Sequence, residues 1–408
     1  MKTELLAGDT RRAAEILRGG GVVAVPTETV YGLACNALSD SAVRRVYEVK
    51  GRPAVKPLSL LVPDADALGR YGTDVPSGAA ALAEKFWPGP LTIVLRSRGL
   101  EAPVVRAGGE TIGLRCPDHP LTCALLRACE FPLAAPSANP SGAPSPRTVS
   151  EVAAYFDGHI DAILDGGESE LGLASTVLDM SCAPYRVLRG GALDSAEIAA
   201  VLRENLTVFG ITGGSGSGKT TALHTLEEMG ALVLDADAVY HTLTVQSIAM
   251  RTEIEARFGG VYDGNILNRK RLGALVFSDP AALAELNRIT HKYVEHELEA
   301  RLTDFAMRGG KIAAVDAIGL LDIPLGGRTT CNIAFTATLE RRVARLTARD
   351  GITDAMARAR IAAQWSDDYF ETHCAYVLHN DGTQAAFEQK CKDFFTEVCK
   401  HGGTEKRK

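Results

Sequence analysis

The chain has 408 residues, 46% hydrophobic and 23% charged, more than one hydrophobic core usually supports, and this predicts two domains of about 200 residues each. Its net charge of −6 divides evenly: residues 1–203 carry 20 Lys and Arg against 23 Asp and Glu, the remainder 24 against 27, so neither half is a bulk binder of nucleic acid. Short, interrupted apolar runs exclude a membrane span, no signal peptide opens the chain, and nine scattered cysteines lack any C-x-x-C pair, which predicts a cytoplasmic protein with neither a disulfide framework nor a zinc site.

The opening "MKTELLAGDTRRAAEILRGGG" is an amphipathic helix pattern ending in glycines. After it come "GGGVVAVPTETVYGLACNA", "VYEVKGRPAVKPLSLLV", "FWPGPLTIVL", "TIGLRCPDHP", "PLAAPSANPSGAPSPRTVSEV", "GLASTVLD" and "RVLRGGAL", apolar strands that end repeatedly in polar clusters. Lys50, Arg52 and Lys56 set three cations close together, suited to phosphate or carboxylate, and Arg115, Ser137, Asn139, Ser145, Ser175, Thr176 and Arg189 sit at loop or strand-end positions able to converge. Residue chemistry leaves two readings open: a nucleotide or small-anion site, or ordinary turns ("PSANPSG") and an exposed helix end ("KGRP").

A capped helix over Ser195–Arg203, a linker near 204–206 and an apolar strand over Thr207–Thr212 mark the domain boundary, dividing the chain into 1–204 and 205–400, with "KHGGTEKRK" as a frayed tail. Immediately after the strand, Gly213–Thr220 reads GGSGSGKT, fitting G-x-x-x-x-G-K-[ST], in which backbone N–H groups cradle phosphates while Lys219 and the Thr220 hydroxyl reach the terminal phosphates and Mg²⁺. Ala222, Leu223, Leu226 and Met229 then repeat at helical spacing, and "ALVLDADAVY" begins as a second strand, completing a βαβ unit with the helix N-terminus at the phosphates. Asp235 and Asp237 fall at the end of that strand, where parallel sheets collect ligands. One carboxylate suits Mg²⁺ held through water and the other a proton taken from an attacking hydroxyl, against the plainer alternative of a turn with a helix N-cap. Arg342, Arg345 and Arg349 share one helical face, either a solvated stripe or an arginine-bearing lid that neutralises a transferring phosphoryl group.

From Thr207 to Gly382 these segments, together with "FGGVYDGNILNRKRLGALVFSDPAALAELNRITHKYV", resemble dephospho-CoA kinase, a P-loop fold with a parallel sheet and helical lid. The spacing R-x-x-L-x-x-x-V-F is approximated by Arg271–Phe277. The resemblance implies ATP and Mg²⁺ held by Gly213, Gly214, Ser215, Gly216, Ser217, Gly218, Lys219, Thr220 and Thr221, with Arg345 and Arg349 on the nucleotide and Thr220 and Asp235 on the metal. Asp237 would be the base for the ribose 3′-hydroxyl of dephospho-CoA, and Asp235, His291 and Asp322 would join it at the acceptor. His291-Lys292 stands where the family has His-Pro, and "AIGLLD" where it has Pro-Leu-Leu-x-Glu, which leaves a kinase of another hydroxyl substrate, or a nucleotide sensor, as alternatives.

From Leu17 to Leu193 the seven earlier segments resemble the YrdC-like threonylcarbamoyl-AMP synthase family, whose signature includes the K-x-R of Lys50 and Arg52 and the S-x-N of Ser137 and Asn139. The resemblance implies a twisted open α/β sheet with a large cavity, making threonylcarbamoyl-AMP and pyrophosphate from L-threonine, bicarbonate and ATP for a downstream tRNA-modification transferase. It assigns Arg52, Lys56, Thr111, Ser137, Ser145 and Arg189 to ATP and Thr29, Arg115 and Ser175 to threonine, with Lys50 and Asn139 shaping the shared site. Leu61 replaces a histidine that some members carry. The alternative for this half is an RNA-binding module, against which its balanced charge and lack of aromatic–basic interleaving speak.

Overall fold

In the computed structural model, which describes residues 2–317, 319–322 and 327–400, the chain divides at Asn205/Leu206 into two compact units, apart from Met307–Gly309, which group with the first. No helix among the described residues is long and apolar enough to cross a membrane. The residues after Lys400, read from sequence as a frayed tail, lie outside the described residues.

The first unit is built on an eleven-stranded mixed sheet. Across its middle run Val23–Val25, Gly32–Asn36, Leu133–Ala134, Ser59–Leu61, Thr111–Arg115, Leu91–Ser97 and Thr176–Asp179, in that spatial order. The strands are short, and Val23–Val25, Leu133–Ala134 and Ala162–Leu164 are buried along their whole length, which explains why they read as apolar runs rather than alternating ones. The opening segment corrects the sequence reading in part. Glu4–Leu6 is a strand paired in parallel with Ala162–Leu164, and only Thr10–Arg18 is helical, because Gly8 and Asp9 interrupt it and the Asp9 carboxylate caps the Arg12 N–H at 3.0 Å. That helix buries Ala13, Ala14 and Leu17 with Leu125, Leu126 and Cys129 of the helix Pro120–Cys129 in the main core.

The second unit is a five-stranded, all-parallel sheet in the spatial order Leu232–Asp235, Ile312–Asp316, Thr207–Gly213, Cys331–Thr336, Tyr376–His379. Because all five strands run the same way, Gly213, Asp235, Asp316, Thr336 and His379 come out along one edge, the edge where ligands collect in such sheets. Its apolar residues form separate clusters. Phe209, Ile211, Leu226, Phe335 and Phe395 pack around the sheet. Met250, Ile254, Leu272, Val276 and Ile289 pack among helices and a small hairpin. Val343, Leu346, Ala357 and Ile361 join the helices Leu339–Asp350 and Asp354–Ala362.

Candidate active sites

In the first unit the helix Asp40–Lys50 ends at Gly51, whose φ of +56° lets the backbone reverse at little cost and carries Arg52 back so that its N–H meets the Tyr47 carbonyl at 2.9 Å. This leaves Lys50 buried, its ammonium donating to the carbonyls of Ser137 and Asn139. Burial, and then the neighbouring Arg52, bring its pKa down to about 8. Ser137 Oγ donates to Asn139 Oδ1 at 2.5 Å, the Asn139 amide donates to the Pro140 and Ala143 carbonyls at 2.9 and 2.7 Å, and Ser145 Oγ reaches Asn139 Oδ1 at 3.5 Å. Lys50, Ser137, Asn139 and Ser145 are therefore one cluster, in which Lys50 and Asn139 hold the loop in shape.

Two further knots face the same region. Arg115 donates to Thr29 Oγ1 at 2.8 Å and to the Gly89 carbonyl at 3.2 Å, and its guanidinium lies 2.8 Å from Glu28 Oε1. Arg189 donates to the Ser175 carbonyl at 2.8 Å and to its hydroxyl at 3.0 Å, while Thr92 and Ser175 share a hydroxyl contact of 2.9 Å. Burial, then Arg115, then Arg52 lower the pKa of Arg189, which places its guanidinium in the field of both other cations. Arg52 itself donates to the Lys56 and Pro57 carbonyls at 3.2 and 3.0 Å, with the Lys56 side chain exposed. Thr111 opens the strand that Arg115 ends, about 13 Å away at strand spacing.

In the second unit the loop from Gly213 to Lys219 is held from outside through its carbonyls. Arg342 Nε donates to the Ser215 carbonyl and Arg345 Nη1 to the Gly216 carbonyl, both at 3.0 Å, and the Asn380 amide donates to the Ser217 carbonyl at 3.0 Å. Gln364 accepts from the Ser215 N–H at 2.8 Å. Gly218, with φ of +110°, is required here twice over, since a Cβ would lie 2.1 Å from the Asn380 amide. The Ser217 hydroxyl is buried without a hydrogen-bond partner, and Lys219 Nζ donates to the Gly213 carbonyl at 2.6 Å.

A cavity of about 690 Å³ opens over this loop, lined by Gly214 to Thr220, by Asp235 and Asp316 from the strand ends and by Asp237 from the first turn of the helix Ala236–Gln246. Asp235 caps the next helix, accepting the Ala238 N–H at 3.0 Å, so the N-cap reading and a place at the cavity hold together. Asp316 is the register partner of Asp235 on the adjacent strand. Burial pushes its carboxyl up to about 6, with Lys219 opposing and Asp235 and Asp237 adding to the rise. Arg345, Arg349 and Arg360 close the far wall, Arg349 and Arg360 both pairing with Asp350 at 2.6 and 2.9 Å.

Not every expected residue gathers here. His291 lies half-buried on the helix Pro280–Met307, where burial lowers its pKa, and neither it nor Thr221 lines the cavity. Asp322 closes the short 3₁₀ turn Leu320–Asp322, and its side chain lies outside the described residues. Arg342 corrects the solvated-stripe alternative, being 5% exposed beneath the loop. Sequence reasoning passed over Glu28, inside "PTETV"; Asp316, closing the apolar run "KIAAVD"; and Asn380, just after the last strand. In the second and third the signal was a polar residue at the end of an apolar strand.

These two phosphate-suited sites of different build define a two-domain enzyme. The family model described as telomere recombination, for Sua5, YciO and YrdC, matches residues 15–191, and that described as dephospho-CoA kinase matches 207–386. The threonylcarbamoyl-AMP synthase of Halorhodospira halophila is 40% identical over 156 residues, 38% of this chain and 82% of that protein. That of Pyrococcus abyssi is 45% identical over 194 residues, 48% of this chain and 57% of that protein. The chain thus spans little more than half the length of the Pyrococcus relative, and 56% of one from Bacillus subtilis. A crystal structure of Pyrococcus abyssi Sua5 complexed with L-threonine aligns at 28% identity and a TM-score of 0.48, covering 78% of this chain and 93% of that one. The chain belongs to the threonylcarbamoyl-AMP synthase family and carries a dephospho-CoA kinase domain in the same polypeptide.

Proposed function

We propose that the first unit makes threonylcarbamoyl-AMP from L-threonine, bicarbonate and ATP, and that the second phosphorylates the ribose 3′-hydroxyl of dephospho-CoA with ATP. The gathering of Arg189 on Ser175 and Arg115 on Thr29, with Arg189 in the field of Arg52 and Arg115, carries the first reading, because it matches a reaction that assembles a carboxylate and a triphosphate in one space. The threonine amine captures carbon dioxide as a carbamate, whose oxygen bonds to the α-phosphorus of ATP while the bond to pyrophosphate breaks. No enzyme nucleophile is needed, and positioning with charge neutralisation supplies the catalysis. Arg115 with Thr29 and Ser175 takes the threonine carboxylate and hydroxyl. Arg52, Lys56, Thr111, Ser137, Ser145 and Arg189 take the nucleotide, and Lys50 with Asn139 keeps the loop between them in shape. The acyl-adenylate passes to a tRNA-modifying transferase.

In the second unit the backbone N–H groups of the Gly213–Lys219 loop and the buried Ser217 hydroxyl receive the ATP phosphates, and Lys219 leaves the Gly213 carbonyl for them. Asp237, exposed at the acceptor side of the cavity, takes the proton of the attacking hydroxyl as its oxygen bonds to the γ-phosphorus and the bond to ADP breaks. Arg345, Arg349 and Arg360 neutralise the charge in transit. The Asp235 and Asp316 carboxylates and Thr220 line the cavity beside the loop, and such a donor set fits Mg²⁺, which binds through one or two carboxylates plus phosphates and waters. Thr220, Asp235 and Asp316 would hold it, and the ion supplies charge neutralisation at the phosphates.

The test is to supply ATP and Mg²⁺ with dephospho-CoA, and separately with threonine and bicarbonate, and to identify the products by mass. CoA in the first mixture and threonylcarbamoyl-AMP with pyrophosphate in the second are expected. Absence of either product, with ATP bound, overturns the corresponding half of the proposal.

A further inference from the structure

A second cavity, of about 300 Å³, lies in the first unit between the segment 63–71 and the end of the helix Pro120–Cys129. None of the residues assigned above to ATP or threonine lines it. Its volume is at the small end of the range for ligand pockets. Buried Tyr71 and Leu126 with half-buried Phe131 give it an apolar floor, and five charged side chains stand exposed around them.

Those charges are not spent on one another. Among the described residues neither Arg70 nor Arg127 forms an ion pair, and the Arg70 guanidinium lies over the Tyr71 ring, 5.5 Å from its centroid. Asp66 precedes the short helix Ala67–Tyr71 without capping it, which leaves its carboxylate uncommitted, whereas Asp64 accepts the Asp66 N–H at 3.1 Å. Glu130 ends the helix Pro120–Cys129 with a φ of +59°, the left-handed conformation that glycine usually fills. A side chain there strains the backbone, and the strain sets a carboxylate at the cavity where glycine would set none.

We propose that this cavity binds a free α-amino acid with an aromatic side chain. Three carboxylates against two guanidiniums oppose a nucleotide or pyrophosphate, and the guanidiniums oppose a bare metal cation. A molecule with one charge of each sign meets both. Arg70 and Arg127 match its carboxylate. Glu130 and Asp66 match its ammonium, joined by the negative end of the helix Pro120–Cys129. Tyr71 and Phe131 offer its ring aromatic partners. The place is distinct from that of threonine, since Arg115 turns to Glu28 and Thr29 instead. It is also close by: the Val62 N–H donates to the Arg115 carbonyl at 2.9 Å and the Cys116 thiol to the Pro63 carbonyl at 3.4 Å, which ties the cavity wall to the strand end bearing Arg115.

Calorimetric titration of the full chain with L-phenylalanine decides this without any turnover. One site per chain is expected, and it should still fill when L-threonine is saturating. Phenethylamine, which lacks the carboxylate, and 3-phenylpropionate, which lacks the ammonium, should each bind about tenfold or more weakly, the scale of a hydrogen bond to a charged group. Arg127→Ala should cost as much with the Tm of the first unit unchanged. Glu130→Gly should weaken binding yet raise that Tm, because it relieves the backbone while removing the carboxylate. Absence of saturable binding, displacement by L-threonine, undiminished affinity for either truncated analogue, or unchanged affinity in either variant overturns the inference.

Discussion

Replacing Glu28 by glutamine tests the first site at its buried ion pair. The Glu28 carboxylate and the Arg115 guanidinium are 7% and 9% exposed and face each other at 2.8 Å, while the other carboxylate oxygen accepts the Asp118 N–H at 3.0 Å. Glutamine keeps the volume and can keep the bond to Asp118, so what is lost is the charge. Arg115 is then left with the neutral Thr29 hydroxyl and Gly89 carbonyl. Removing one member of a buried ion pair costs about 3–5 kcal/mol. For a unit of about 200 residues each kcal/mol lowers Tm by about 2–4 °C, so the transition of the first unit should fall by roughly 6–20 °C. Differential scanning calorimetry of the full chain reads this, with the transition of the second unit as internal reference. Threonine should restore part of the loss, since its carboxylate supplies the missing countercharge and ligand binding stabilises by mass action. Glu28→Gln/Arg115→Met, lacking both charges, should be more stable than Glu28→Gln alone. A loss below about 1 kcal/mol, the value of an exposed pair, would refute the reasoning.

Asp237→Asn should cut dephospho-CoA phosphorylation by about a hundredfold or more while ATP still binds, measured by single-turnover kinetics and nucleotide titration; near-normal turnover would reduce Asp237 to a helix-end residue. Arg52→Ala should abolish threonine-dependent pyrophosphate release and leave kinase turnover unchanged, and loss of both activities in a folded chain would contradict two independent sites. Asp316 is held at about 6 in the fold against 3.8 for a free side chain, so between those values the folded unit keeps a proton that the unfolded chain has released. Stability of the second unit should therefore fall as pH rises through that window, and Asp316→Asn should flatten the slope, stabilise the nucleotide-free chain at neutral pH and slow the kinase. Lys50, at about 8 against 10.5, has the opposite linkage. Stability of the first unit should rise between those values as the fold sheds a proton the unfolded chain retains, and pyrophosphate release should decline above pH 8, a limb that Lys50→Arg should move upward.

The parts of this molecule that sequence discloses are those whose chemistry is local. GGSGSGKT declares its strand, loop and helix because each residue acts on its near neighbours, and the Lys50 and Ser137 motifs declare the first fold in the same way. Asp316 was not visible because its importance comes from sheet order: the third strand of the five-stranded sheet inserts between the first and second, and only that insertion sets Asp316 beside Asp235 and Lys219. Glu28 is hidden between two threonines, and its meaning depends on Arg115, which arrives on a strand four places away across the sheet. His291, which the resemblance offers for the acceptor, sits half-buried on a long helix outside the lining of the cavity, a position that packing sets and spacing does not disclose. Arg342 shares a helical face with Arg345, and spacing alone does not reveal that one supports the loop from beneath while the other also reaches the cavity.

The helices Leu339–Asp350 and Asp354–Ala362 pack on each other through their own small apolar cluster, separate from the one around the sheet, and meet the phosphate loop through polar groups. Apolar contacts resist separation because water does not replace them, whereas a hydrogen bond surrendered to solvent is nearly recovered. The helix pair is therefore a rigid piece on a soft mounting. Swinging it outward to admit or release a nucleotide leaves its interior untouched and exchanges a few protein hydrogen bonds for hydration. Arg349 and Arg360, yoked through Asp350, would travel on it together, so the charge that meets the phosphates arrives as a unit or not at all.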